Sequence, residues 1–228
     1  MNVTEFVGFN MSDKINFKLF KPFGSTVAKA VMPLGLMKDF QDDLKQIRQD
    51  KEKQKNHDWS KKLVGHVDSE YLISPEIMLK WKQKFFDPII NTYVKNHIEH
   101  KIKSILINSA WYVISKPGDY NPCHTHTEYV HGNYHLSCVG YLQIPKMIST
   151  DNAKEHNDFS GQTEFIEGSE SMFNNNSYRV MPEVRDWILF PNSLSHVVYP
   201  FNTDDKDNER ISFSFNATII FDNDKLSN

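Results

Sequence analysis

The chain has 228 residues, 39% hydrophobic and 24% charged, with 13% aromatics that include sixteen Phe, and a net charge of −3. That mixture suits one globular unit with a sizeable core, and the aromatic content favours β structure over a helical bundle. No global basic field invites nucleic acid, two cysteines (Cys123 and Cys138) rule out a disulfide framework, and no apolar run approaches the ~20 residues needed to span a bilayer.

Residues 16–20 and 26–32 alternate like short strands, the second stopped by Pro33. From Leu34 the period changes. Leu34, Met37, Phe40, Leu44 and Ile47 recur at helical spacing among Lys, Asp, Gln and Arg, which predicts an amphipathic helix. The Lys-rich stretch 48–62 reads as a helix end and linker. Ser74-Pro75-Glu76 opens a second helix, with Ser74 as cap and Pro75 at the first helical position; Ile77, Trp81, Phe85, Ile89 and Tyr93 form its stripe. From Ile105 the chain turns β-rich. Residues 105–115, 136–144, 162–166, 187–190, 196–201 and 210–221 read as strands, separated by turn signals such as Lys116-Pro117-Gly118-Asp119 and by polar stretches. Residues 1–104 are expected to support a β core at 105–228 within one structural domain, the core being a sandwich or barrel. Met1 is not followed by a basic and then apolar leader, so a cytoplasmic chain with reduced thiols is expected.

The densest group of metal-capable side chains is His124-Thr125-His126-Thr127-Glu128. On a strand, alternate residues share a face, so His124, His126 and Glu128 point one way. Three such positions span about 13 Å, too far for all to bind one ion, so a further ligand comes from elsewhere. His196, between two apolar strands, is the distant candidate. Arg210-Ile211-Ser212-Phe213-Ser214-Phe215-Asn216 is the cleanest period-2 segment: Arg, Ser, Ser and Asn on one face, Ile and Phe on the other. In a sandwich the polar face can line a cavity, where the Arg210 fork grips a carboxylate with Ser212 beside it. Imidazole and carboxylate ligands with vacant positions suit Fe(II) and oxygen.

The order of these pieces resembles the 2-oxoglutarate/Fe(II) oxygenases, in the prolyl-hydroxylase-like branch and the small phage and marine bacterial members. Residues 117–126 look like that family's Gly-x-Tyr-x-Pro-His-x-Asp segment, 136–142 like its next core strand, and 190–200 like its distal-histidine segment. Arg210-Ile211-Ser212 looks like the segment that binds the cosubstrate's far carboxylate. The resemblance runs from Ala110 to about Asn216. It implies a mainly β, double-stranded β-helix (jelly-roll, cupin-like) core with supporting N-terminal α-helices. It implies Fe(II), 2-oxoglutarate as cosubstrate and O2, with 2-oxoglutarate converted to succinate and CO2 while an unidentified substrate is hydroxylated. Carried over, His124 and His196 are iron histidines, and Arg210, Ser212 and Tyr141 bind 2-oxoglutarate. The chain departs from the pattern at His126, where the family usually has Asp or Glu. Either His124, His126 and His196 bind the metal together, or Glu128 supplies a carboxylate with His126 as the first histidine; the turn before His124 favours the former. Competing readings are a non-catalytic jelly-roll binding module and a cupin-like metal enzyme without 2-oxoglutarate. Arg210 with Ser212 discriminates, since a simple binding module needs no carboxylate clamp there. Substrate and oligomeric state stay open; the loops at 127–135 and 149–160 are expected to form the mouth.

Overall fold

A computed structural model describes residues 4–5, 17–20, 24–62, 64–126, 135–148, 159–169, 172 and 175–222. In chain order the elements are β1 (Thr4–Glu5), β2 (Phe17–Phe20), β3 (Val27–Val31), α1 (Leu34–Gln49) and α2 (Lys51–His57). A short 3-10 turn (Ser60–Lys62), β4 (Ser69–Leu72), α3 (Pro75–Trp81), a π-helical turn (Lys82–Phe86) and α4 (Asp87–Lys95) follow. The rest is β: β5 (Ile102–Ser115), β6 (Asn121–His124), β7 (Leu136–Gln143), β8 (Thr163–Ile166), β9 (Ser177–Val180), β10 (Asp186–Pro191), β11 (Ser195–Val198) and β12 (Arg210–Phe221).

The strands form two antiparallel sheets, a major one in the order β1-β2-β3-β10-β7-β12-β5-β4 and a minor one in the order β6-β11-β8-β9. The strong alternation of β12 explains its central place. Phe213 and Phe215 are fully buried on one face, and Arg210, Ser212 and Asn216 are buried on the other. The aromatic face carries the helices. Phe40 of α1 packs edge-on to Phe213 at 4.7 Å, Phe86 lies 4.9 Å from Phe215, and Phe85 lies 5.5 Å from Trp187. Asp43, on the buried face of α1, accepts from the Tyr112 hydroxyl at 2.8 Å and ties that helix to β5. Gly140 sits opposite Phe213 in the ladder, where a Cβ would lie 2.2 Å from the ring, so only glycine lets the ring lie flat on the strand.

Several expectations change. The buried stripe of α1 begins at Leu36; Leu34 is 70% exposed, because it lies about 120° around the helix from Phe40. Ser74 precedes α3 but its side chain does not cap it; its N–H donates to Asp43 instead, while Pro75 does open the helix. The second predicted helix is interrupted by the π turn, whose extra residue shifts the phase so that Phe85 and Phe86 both face the sheet. β4, β6 and β9 are too short to show a sequence period. No described helix is long and apolar enough to cross a membrane. Both cysteines are free, with Cys138 buried and Cys123 exposed.

Candidate metal centre and anion pocket

His124 and His196 are direct partners in the ladder between β6 and β11. That pairing brings together imidazoles 72 residues apart in the chain without any side-chain strain, because facing residues of neighbouring strands share a face. His126 joins them by a different route from the one its spacing predicts. The strand ends at His124, and His126 lies beyond it, where its N–H donates to Asn192 O at 2.9 Å. The three side chains each offer a ligand atom, all within 4.8 Å of one another. Glu128 lies outside the described residues.

Each imidazole is held by its Nδ1. His124 donates to Pro122 O at 2.7 Å, His196 to Leu194 O at 3.0 Å, and His126 to the Asn216 side-chain Oδ1 at 2.8 Å. The Nε2 atoms are thereby left as acceptors turned toward a common point, the arrangement that orients histidines around a metal. Asn216 Oδ1 also accepts from Ser137 Oγ at 2.7 Å, so its amide is fixed from two sides. Asn216 was visible in the sequence only as one more polar residue of β12; its partner on another strand was not. The rings of Phe190 (4.9 Å from His196) and Trp111 (6.1 Å from His126) wall the cluster. Trp111 is buried and lines the cavity. Burial holds all three imidazoles below their usual range, His126 down to about 4, with the neighbouring His124 adding to the effect on His126 and His196. They are therefore uncharged at neutral pH, the form that binds metal.

The triad opens into a cavity of about 340 Å³ between the sheets. Arg210, Ser212, Tyr141 and Thr163 line the same cavity. Arg210 is 3% exposed, with its guanidinium 4.8 Å from the centre of the Phe201 ring and one N–H donating to Gly161 O at 3.3 Å. Among the described residues no carboxylate pairs with it. A buried cation without a counter-ion is costly, so an anion placed here would be stabilised. Tyr141 and Thr163 join hydroxyls at 2.9 Å beside it. The sequence reading gave Thr163 no role; it becomes visible only once β8 lies across the cavity from β7. Of the other histidines, His135 Nδ1 accepts from Ile219 N, and His66 stacks on Tyr120, so neither belongs to the triad. Asp119 accepts from Lys116 N at 2.8 Å and closes its turn, as its position in the sequence suggests.

Residues 109–216 match the model of the family described as "Putative 2OG-Fe(II) oxygenase". No curated protein sequence matches the chain. Among solved structures, a prolyl-4-hydroxylase of Pseudomonas putida is similar over 83% of this chain and 91% of its own, with a TM-score of 0.54 at 13% identity. A prolyl hydroxylase of Trichoplax adhaerens, solved with a peptide fragment of the oxygen degradation domain of hypoxia inducible factor, is similar over 88% and 82%, with a TM-score of 0.50 at 11% identity. At these identities the likeness is one of fold, the jelly-roll that the alternating strands and the two sheets already describe.

Proposed function

We propose that this chain is a 2OG-Fe(II) oxygenase, as the family model matched by residues 109–216 supports, and that it hydroxylates a substrate using Fe(II) held by His124, His126 and His196, with 2-oxoglutarate anchored by Arg210. The single observation that carries the assignment is the buried Arg210 guanidinium, without a carboxylate partner among the described residues, lining the same cavity as three convergent imidazoles. The donor set fits: imidazole nitrogens with further positions open suit non-haem iron. When bound, the metal and cosubstrate would supply the oxidising chemistry with O2 as the oxidant, one oxygen atom going to 2-oxoglutarate as it becomes succinate and CO2 and the other to the substrate as a hydroxyl.

The protein's own part is positional. Pro122 O, Leu194 O and Asn216 Oδ1 fix the imidazole tautomers. The triad contributes no negative charge, so the two carboxylates of 2-oxoglutarate would offset two of the three positive charges that the ion and the guanidinium bring. Arg210 takes the far carboxylate through its forked N–H groups, Ser212 donates beside it, and the Tyr141–Thr163 hydroxyl pair completes the anion's shell. The aromatic walls exclude water from the reacting end.

The test is an anaerobic Fe(II) titration with and without 2-oxoglutarate, followed in the visible range. A weak band that needs both components is expected. His196→Ala should bind no metal. Arg210→Ala should keep the metal and weaken 2-oxoglutarate by about 100-fold, as expected for loss of paired charge-assisted hydrogen bonds. An unchanged cosubstrate affinity in Arg210→Ala would overturn the assignment.

A further inference from the structure

The cavity wall holds a second buried charge-bearing group that the metal and cosubstrate do not use. Glu70, in the edge strand β4, is 2% exposed and lines the cavity. Tyr71, its neighbour, packs into the helix-side core, so alternation turns Glu70 inward. Glu70 pairs in register with Val113, Val113 with Ser212, and Ser212 with Tyr141, so all four lie in one row across the inner face of the major sheet. Two strand spacings put Glu70 about 10 Å from Ser212, backbone to backbone. It is the only carboxylic acid among the described lining residues, as Arg210 is the only guanidinium or ammonium group. Among the described residues the two do not pair, and the Glu70 carboxyl has neither a hydrogen-bond nor an ion-pair partner.

The surroundings select what could meet it. Trp59 lines the cavity as well, and its backbone N–H donates to the backbone carbonyl of Glu70 at 2.9 Å, which holds the two residues on adjoining segments. Gly65 and Asn121 border the same side, where the chain at His66 is bridged to Tyr120 by two backbone hydrogen bonds of 2.9 and 3.1 Å. A buried acid and a half-buried indole lining one cavity are the pairing that recognises cationic nitrogen. An anionic group has no place there, and an apolar group would leave the carboxyl unsatisfied. Burial, with Asp58 nearby, pushes the Glu70 carboxyl up to about 8, so without a cation it is held protonated and a bound cation would ionise it.

We propose that Glu70, with Trp59 beside it, anchors a basic nitrogen of the substrate, an amine or a guanidinium, several bonds from the carbon that is oxidised. The inference rests on the oxygenase reading for the meaning of "substrate", and it deepens that reading by assigning the cavity two opposite anchors: Arg210 for the anionic cosubstrate and Glu70 for a cationic substrate.

The test uses the full chain loaded with Mn(II) and N-oxalylglycine. The probes are Nα-acetyl-lysine methylamide, Nα-acetyl-arginine methylamide and the neutral Nε-acetylated lysine analogue. Binding is read from the relaxation of the probe protons by Mn(II), which also reports proximity to the triad. At least one cationic probe is expected to bind about tenfold more tightly than the neutral analogue, the scale of a hydrogen bond to a charged group. In Glu70→Gln that preference should vanish while the neutral analogue binds as before. Equal binding of charged and neutral probes to the unmodified protein, or a preference that survives in Glu70→Gln, would overturn the proposal. The comparison within the unmodified protein needs no variant, so it decides the matter even if Glu70→Gln does not fold. Metal and N-oxalylglycine affinities are measured in the same samples; their loss would count against the oxygenase reading, not against Glu70.

Discussion

Replacing Asn216 with leucine removes the Oδ1 acceptor while keeping the same number and branching of side-chain heavy atoms. That oxygen accepts from His126 Nδ1 at 2.8 Å and from Ser137 Oγ at 2.7 Å. His126 touches no other described acceptor through Nδ1, so its ring is free to turn and its proton to move to Nε2, which cannot then ligate. Losses of this kind typically weaken metal binding by about 10- to 100-fold, or roughly 1.4 to 2.8 kcal/mol. Two buried donors left without acceptors also cost about 1 to 3 kcal/mol each, partly relieved if the side chains rotate. At about 2 to 4 °C per kcal/mol for a chain of this size, the melting temperature should fall by roughly 5 to 15 °C. Asn216→Asp keeps an acceptor for both donors and should retain the metal. Competition between the protein and a chromophoric chelator for Co(II) measures the affinities, and thermal melting measures the stability. A folded Asn216→Leu protein that binds Co(II) as tightly as the parent would refute the reasoning, because the third imidazole would then need no orienting partner.

Two further outcomes follow from buried groups. Glu70 has its carboxyl raised from 4.5 to about 8, so the folded state holds a proton that the unfolded state releases. Its favourable contribution is complete below 4.5 and is lost as pH climbs to about 8, by at most about 5 kcal/mol; urea melts from pH 5 to 9 should therefore show Glu70→Gln gaining on the parent as pH rises, and parallel curves would contradict this. Gly140→Ala drives a methyl into the Phe213 ring, which Phe40 backs at 4.7 Å and which therefore cannot retreat; overpacking of about 1 to 3 kcal/mol is expected as a lowered urea midpoint, and unchanged stability would show that the sheet can shift.

What could be read from the residues was whatever repeats along an element. The alternation from Arg210 to Asn216 places a charged face and an aromatic face on one strand, and β12 realises both. His124 and His196 were readable as candidates because each adjoins a recognisable strand, and the ladder makes them partners. Arg210 and Ser212 line the cavity on the face where the period placed them, and Tyr141, singled out by the resemblance alone, lines it too. What could not be read depended on contacts without local pattern. His126 satisfies a strand spacing but leaves the strand. Thr163, Asn216 and Trp111 matter through residues on other strands. Glu70 defies the habit of acids to face water, and the four residues of β4 are too few to reveal which side is inward.

The three imidazoles do not belong to one layer. His124 and His196 sit in the ladder of the minor sheet, whereas His126 hangs from Asn216 of the major sheet. An ion at their meeting point would act as a rivet through both leaves of the sandwich. Its grip would register the gap between those leaves, so a substitution deep under the helices that tilts the major sheet could loosen the rivet without touching it.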